Sequence, residues 1–111
     1  MSPRAVTPDE AREAAEREAR DAAQLAAVEA YAAAHGLVRG ERYDITVRHS
    51  RWSWDAKAYV EARRTMRGVR YHGPTSVGLS IGYDADPVRG IWHDSHRYAA
   101  PVDILEIRPA R

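Results

Sequence analysis

The chain has 111 residues, 44% of them hydrophobic, a formal net charge of +1 at neutral pH, and no cysteine. This length fits a single domain, and the low net charge argues against disorder although Phe is absent. Without cysteine there are no disulfides, thiolate zinc sites or cysteine nucleophiles, so we expect a reducing, cytoplasmic location. The first residues lead into a charged segment rather than an apolar one, so neither a signal peptide nor a membrane span is expected.

Arginine and alanine are used where lysine and isoleucine are common in other proteins. Lys57 is the only lysine among 17 lysine and arginine residues. This bias is typical of a GC-rich genome and suggests an actinobacterium or one of its phages.

A long helix is predicted over residues 1–36. Thr7 is a suitable cap, Pro8 suits the first helical position, and Glu10 has the spacing of a capping box. Good helix formers continue to His35, and Gly36 follows in the position favoured for a left-handed cap. The apolar stripe is thin at the start and broadens late in the helix, at Leu25, Val28, Tyr31 and Ala32. We therefore expect the second half to dock on the sheet and the first half to project, either as a surface for self-association or as a solvated helix that frays at its start.

In the next segment the hydrophobic pattern changes from helical to alternating, which is typical of half-buried strands. In the first strand Tyr43, Ile45 and Val47 point to one face and polar residues point to the other. A turn near Ser50 and Arg51 is expected to join this strand to a second one.

The second strand is predicted from strict alternation over eleven residues, which puts Trp52 and Trp54 on one face and Tyr59 on the other. Residues 55–66 also favour a helix, because they are rich in helix formers and have apolar residues at helical spacing. The strict alternation makes the strand the preferred interpretation.

The rest of the chain is predicted to be mostly strands and turns. Residues 68–75 contain Gly73 and Pro74 and are predicted to form a loop. Alternation from Val77 to Tyr83 predicts a third strand, whose small opposite face leaves room for another backbone or a large side chain. The later elements are a turn at 84–87, a fourth strand at 89–92, an irregular loop at 93–101 and a last strand at 102–107, stopped by Pro109.

The predicted fold class is α+β in a single domain over residues 1–111. A long N-terminal helix over 1–36 is followed, over 41–108, by four to five antiparallel strands that form a curved sheet or a small open barrel.

The segment from Trp92 to His96 is the most suggestive of chemistry. His93 and His96 flank Asp94, but zinc needs three or four convergent ligands, so a metal site there is left open. Ser95 beside these residues supplies the types used in nucleophilic catalysis, but adjacent residues do not normally converge. A nucleophile elbow, a phosphate-binding loop and a dinucleotide fingerprint are all missing from the sequence. We therefore expect neither an enzyme nor a cofactor.

Charge is distributed unevenly along the chain. Residues 1–35 carry four arginines against seven acidic residues, a net charge of −3, and residues 36–111 carry thirteen basic against nine acidic residues, a net charge of +4. Arginine near exposed aromatic residues indicates a binding surface. The predicted binding residues are Arg48, Arg51, Trp52, Trp54, Arg63, Arg64, Arg67, Arg70 and His72.

Two functions fit this surface. The preferred one is a small accessory or regulatory protein that binds another protein or its own copies, because Arg, Trp and Tyr are enriched in interface hot spots. The alternative is a nucleic-acid-binding domain in which an arginine loop over residues 63–70 pairs with phosphates and sheet aromatics stack on bases. The sequence pI of about 8.2 is below the range typical of a dedicated nucleic-acid binder. No membrane partner is expected.

Overall fold

The computed structural model describes residues 5–111, which form one α-helix and a five-stranded sheet. The elements are α1 (Pro8–Ala34), β1 (Arg42–Ser53), β2 (Ala58–Thr75), β3 (Gly78–Gly82), β4 (Arg97–Ala99) and β5 (Ile104–Pro109). All neighbouring strands are antiparallel, in the order β4-β3-β2-β1-β5. The α+β class is confirmed, and the sheet is open.

Both ends of α1 follow from their local sequence. The Thr7 hydroxyl accepts a hydrogen bond from the backbone N–H of Glu10 at 3.1 Å, and Pro8 begins the helix. The helix ends at Ala34, and Gly36 has a φ of +63°, the left-handed conformation that glycine adopts without steric cost.

Only the second half of α1 packs on the sheet. Val28 and Ala32 are buried, whereas residues 11–24 are all exposed. This difference follows the broadening of the apolar stripe along the helix. Within the described residues, no helix carries a long enough apolar stretch to cross a bilayer.

The hydrophobic core lies between α1 and one face of the sheet. Its buried members are Val28, Ala32, Tyr43, Ile45, Met66, Val69, Tyr71, Leu79, Ile81 and Ala99. The rings of Tyr43 and Tyr71 meet edge to face at 6.4 Å, and the Tyr43 hydroxyl accepts a hydrogen bond from the Val38 N–H at 2.8 Å. The aromatic core residues thus supply both buried area and a polar anchor for the segment that leaves the helix.

The prediction of a loop over residues 68–75 is wrong, because β2 runs through this segment to Thr75. The strand accommodates its glycines by shifting register twice, once beside Gly68 and once beside Gly73. Both glycines have positive φ angles, of 67° and 134°. Bulges in a strand use the same conformational freedom as turns, so the glycine signal alone did not distinguish the two.

The predictions for the chain after β3 need correction as well. Residues 89–92 do not form a strand, because Pro87–Arg89 is a single 3-10 turn and Ile91 makes only one isolated bridge, to Asp86. The fourth strand is instead Arg97–Ala99, inside the predicted irregular loop. The last strand begins at Ile104 because a second 3-10 turn occupies the three residues before it. Such a short strand as β4 is defined by its pairing with β3 and not by its own pattern.

The expectation for the small face of β3 is confirmed. Leu79 and Ile81 point into the core, and on the opposite face the backbone of Ser95 lies against Gly82. A side chain at position 82 would occupy the space in which the backbone of Ser95 lies.

Candidate functional site

β1 and β2 continue beyond the other strands as a two-stranded ribbon. β5 accompanies β1 only as far as Val47, and β3 accompanies β2 only from Arg70 onward. Residues 48–63, which we call the ribbon, therefore pair only with each other, and none of them is buried. Two long strands held by each other alone present both faces to a partner.

The ribbon ends in a turn at residues 54–57, and not at Ser50 and Arg51 as predicted. Lys57 has a φ of +50°, and the Ser53 hydroxyl accepts a hydrogen bond from the Ala56 N–H at 3.2 Å. The turn contains no glycine or proline, and the alternation continues across it without a change of phase. The preferred interpretation of the following segment as a strand is confirmed from Ala58 onward.

Three aromatic side chains cluster at the end of the ribbon, and we call them the aromatic tip: Trp52, Trp54 and Tyr59. Trp52 and Tyr59 are cross-strand partners with ring centroids 5.3 Å apart, and Trp54 lies 5.9 Å from Trp52. Both pairs are edge to face, which is a favourable geometry for aromatic rings. The exposed fractions of Trp52, Trp54 and Tyr59 are 42%, 82% and 72%.

Tyr59 was missed as a binding residue because the turn was misplaced. With the turn at 54–57, Tyr59 pairs with Trp52 and shares its face, whereas uninterrupted alternation put the two on opposite faces. A signal in the sequence could have found it. Trp52 and Tyr59 stand one on each side of Asp55 and Lys57, which are polar residues suited to a turn.

Two arginines lie on the same face of the ribbon as the aromatic tip. Arg48 and Arg63 are cross-strand partners, four pairs along the ladder from Trp52 and Tyr59. Cross-strand partners share a face, so the arginine pair and the aromatic pair lie on one face, separated there by the pair of Ser50 and Glu61. The spacing between the two pairs is about 13 Å at about 3.3 Å per residue.

The other arginines of the ribbon region differ in their surroundings. Arg51 pairs with Val60, and Arg64 pairs with Val47, so both belong to the opposite face. Arg48 Nε lies 3.6 Å from the carboxylate of Asp103. In the part of the chain that the structure describes, neither Arg51 nor Arg64 has a carboxylate within ion-pair distance.

The predicted arginine loop over residues 63–70 does not exist, because these residues belong to β2. An extended strand separates Arg63 from Arg70 by about 23 Å, at about 3.3 Å per residue. Arg67 lies beside the first bulge of β2, and His72 lies beside the second. The predicted site is therefore divided, with Arg64, Arg67, Arg70 and His72 outside the ribbon.

Arg70 is held in an ion pair rather than left free for a ligand. Its Nε donates a hydrogen bond to Asp84 Oδ2 at 2.8 Å, and its Nη2 lies 2.6 Å from the same oxygen, to which Arg42 Nη2 also donates at 3.2 Å. The hydrogen bond from Arg70 holds the pKa of Asp84 below its usual range, against an opposite effect of partial burial. The same hydrogen bond raises the pKa of Arg70.

The polar segment before β4 uses its side chains to satisfy the backbone. Asp94 Oδ1 accepts a hydrogen bond from the Ala85 N–H at 2.6 Å, and the Ser95 hydroxyl accepts one from the Tyr83 N–H at 3.2 Å. These bonds fasten the segment across the end of β3. The Ser95 hydroxyl is therefore a partner of the backbone just beyond β3.

The histidines near this segment are not joined in a metal site. His96 Nε2 shares a hydrogen bond with the Ser80 hydroxyl, and the His96 ring lies 6.1 Å from that of His72. Over residues 5–111, no group of three or more His, Cys, Asp or Glu side chains is arranged to hold a metal ion. The ribbon therefore remains the surface on which the predicted aromatic and basic residues meet.

Comparison with protein-family models, with curated proteins and with solved structures finds no match to this chain.

Proposed function

We propose that this protein is a non-enzymatic accessory or regulatory protein that binds another protein through the aromatic tip. The observation that supports this function is the exposure of Trp54 and Tyr59, which are 82% and 72% accessible on a projecting ribbon. Contiguous exposed apolar surface is typical of interaction sites, and Trp and Tyr dominate the energy of protein interfaces. The proposed compartment is the cytoplasm, because the chain contains no cysteine.

The ribbon suits this role because it presents the rings in a limited set of positions. Trp52 is held by two ring contacts, with its cross-strand partner Tyr59 and with Trp54, so little side-chain entropy is lost when it is covered. Arg48 and Arg63, further along the same face, favour a partner with acidic residues at the rim of its surface. The aromatic tip then supplies affinity, and the arginines supply orientation and association rate.

The test is affinity capture from a host lysate with tagged wild-type protein and two tip variants, Trp54→Ala and Tyr59→Ala. The matched control is Trp92→Ala, because Trp92 is 70% exposed and lies outside the ribbon. A captured protein is then purified and titrated against each variant. We expect each tip variant to weaken binding at least tenfold, or more than about 1.4 kcal/mol, because truncating a buried interface aromatic removes most of its contacts.

The expected result is retention of the partner by the wild type and by Trp92→Ala. Equal binding by the tip variants and the control would contradict the proposal, because the aromatic tip would then make no contact with the partner. A parallel titration of tagged with untagged chain measures self-association. Binding that survives the tip changes but is lost with changes on the exposed first half of α1 would assign the interface to the helix.

A second candidate function is binding to single-stranded nucleic acid along the ribbon. The observation that favours it is the shared face of the Arg48–Arg63 pair and the Trp52–Tyr59 pair. Single-stranded binders combine basic groups that follow the backbone with aromatic rings that stack on bases. This arrangement uses the ribbon and not the predicted arginine loop.

Fluorescence anisotropy with short single-stranded DNA and RNA, at about 50 and about 200 mM salt, tests this candidate. We expect Arg63→Ala to weaken binding and to lower the slope of log affinity against log salt by about 0.7, because one fewer phosphate is neutralised. Arg20→Ala makes the same charge change on the exposed helix and should leave the slope unchanged. Lack of binding by the wild type at the lower salt concentration would exclude this function.

A further inference from the structure

A cleft of about 770 Å³ opens on the sheet face opposite α1. Tyr43 and Ile45 of β1 point into the core, so their neighbours Arg42 and Asp44 point to the opposite face. Arginines from four separate segments border this cleft: Arg42, Arg67, Arg89 and Arg108, with Arg111 at the last position. Asp44 is the single carboxylate among the lining residues.

The first bulge of β2 shapes the floor of the cleft. Gly68 has a φ of +67°, and its N–H donates to Asp44 Oδ1 at 2.9 Å. The bulge turns the strand locally, and it brings Arg67 to the border of the cleft. Asp44 thus binds the backbone of the bulge, and its negative charge offsets part of the positive charge of the cleft.

The turn after β3 supplies the opposite wall. Asp86 and Ile91 close this turn with two backbone hydrogen bonds, of 2.7 and 2.9 Å. The turn carries Arg89, whose guanidinium Nη1 is 3.9 Å from where a Cβ atom at position 68 would lie. The bulge and the turn thus bring Arg67 and Arg89, which are far apart in the sequence, to one cleft.

The positive charge of the cleft is only partly neutralised within the protein. Arg42 pairs with Asp84 at 3.2 Å, and Arg108 pairs with Glu106 at 2.9 Å. Among the described residues, neither Arg67 nor Arg89 has a carboxylate within ion-pair distance.

The net charge of this region follows from a count of these groups. The arginines at 42, 67, 70, 89 and 108 number five, and the carboxylates at 44, 84 and 106 number three, so the net charge is +2 without Arg111. Concentration of one sign of charge in a concave site attracts and retains ions of the opposite sign.

We infer that this cleft binds a small anion with two or more phosphoryl groups. Guanidinium groups bind phosphoryl oxygens through paired, charge-assisted hydrogen bonds, and each phosphoryl group carries about −1.5 to −2 at neutral pH. The cleft volume lies in the range of small-ligand sites, about 300–1,000 Å³. Its lining contains no aromatic ring, so recognition is of the phosphoryl groups and not of a base. This site is independent of the ribbon and of its proposed partner.

Isothermal titration calorimetry with inorganic pyrophosphate tests the inference on the whole chain. We expect saturable binding to the wild type, a loss of affinity of at least about tenfold in Arg67→Ala and in Arg89→Ala, and a smaller loss in the corresponding lysine variants, because lysine keeps the charge but not the planar fork. Arg20→Ala is the matched control, since it removes an arginine from the exposed first half of α1 and not from the cleft, and it should bind as the wild type does. Circular dichroism of each variant without ligand checks that it is folded.

Further titrations distinguish the sources of the phosphoryl groups. Binding of ADP with the same affinity as pyrophosphate would support recognition of the phosphoryl groups alone. Weaker binding of inorganic phosphate than of pyrophosphate would support the need for two phosphoryl groups in the ligand. Three results would overturn the inference: no binding of pyrophosphate to folded wild type, an equal loss in Arg20→Ala, or binding of a single-stranded oligonucleotide in the cleft without binding of pyrophosphate.

Discussion

Gly82 illustrates how a single residue shapes the surface of this protein. Its φ angle is not in the left-handed region, so the need for glycine comes from space and not from backbone conformation. Ser95 and Tyr83 exchange two hydrogen bonds, of 2.9 and 3.2 Å, and this pairing lays the backbone of Ser95 over Gly82. A Cβ atom at position 82 would meet the carbonyl oxygen of Ser95 well inside van der Waals contact.

Gly82→Ala should therefore lower the free energy of unfolding by about 1–3 kcal/mol, because β3 or the crossing segment must shift. Urea denaturation followed by circular dichroism measures the change. Val88→Ala, at an almost fully exposed position, should change stability by less than about 0.5 kcal/mol. An equal, small effect at both positions would show that the crossing segment moves aside without cost.

The carboxylate of Asp84 connects separate elements of the sheet. Arg42 at the start of β1 and Arg70 in the middle of β2 both donate to its carboxylate, which lies just beyond β3. Three parts of the sheet are therefore joined through one acidic group. The depressed pKa of Asp84 makes this link sensitive to acid.

The sign of the pH effect follows from the direction of the pKa shift. The folded protein keeps Asp84 ionised to a lower pH than the unfolded chain does, in which aspartate has a pKa of about 3.9. Between the two pKa values the unfolded chain binds more protons, so the contribution is present above about pH 4 and is lost as the pH falls through the folded pKa.

Asp84→Asn should accordingly be less stable than the wild type at neutral pH, and the difference should narrow as the pH falls below about 4. Urea denaturation of both proteins across this range measures it. Asp55→Asn, in the turn of the ribbon, is the control and should stay close to the wild type throughout. A difference between Asp84→Asn and the wild type that is constant with pH would mean that the arginines do not depend on the charge of residue 84.

The whole molecule is extended, because two elements leave its body. The radius of gyration over Cα atoms is 18.6 Å, whereas a compact domain of this length has about 13 Å. The exposed first half of α1 and the ribbon account for the excess. The hydrophobic core is confined to the second half of the helix and the proximal parts of the strands, so the two projections contribute no buried side chain to it.

The tertiary structure of the whole molecule also determines which charged side chains lie close together. The acidic helix and the basic sheet were evident as a net charge of −3 followed by +4 along the chain. The concentration of positive charge in the cleft was not, because Arg42, Arg67, Arg89 and Arg108 come from four separate segments. The predicted group over residues 63–70 was contiguous in sequence but is spread along an extended strand.

The sequence by itself determined the helix, its caps, the docking of its second half and the strand character of β1 and β3. These features depend on local hydrogen bonding and on apolar periodicity, both of which are written in short stretches of sequence. Trp52, Trp54, Arg48 and Arg63 were likewise predicted as binding residues from their types, and the structure places all four on the ribbon.

Only the tertiary structure decided the position of the ribbon turn, the bulges of β2, the existence of β4 and the composition of the cleft. Bulge and turn use the same glycine conformations, so the choice between them depends on which strand lies alongside. The short strand β4 forms because it pairs with β3 through backbone hydrogen bonds. Tyr59 lies in the aromatic tip, and Arg89 lies near Arg67, because of pairing between segments that are distant in sequence. A local pattern does not show such pairing, because register and strand order are set by contacts between distant segments.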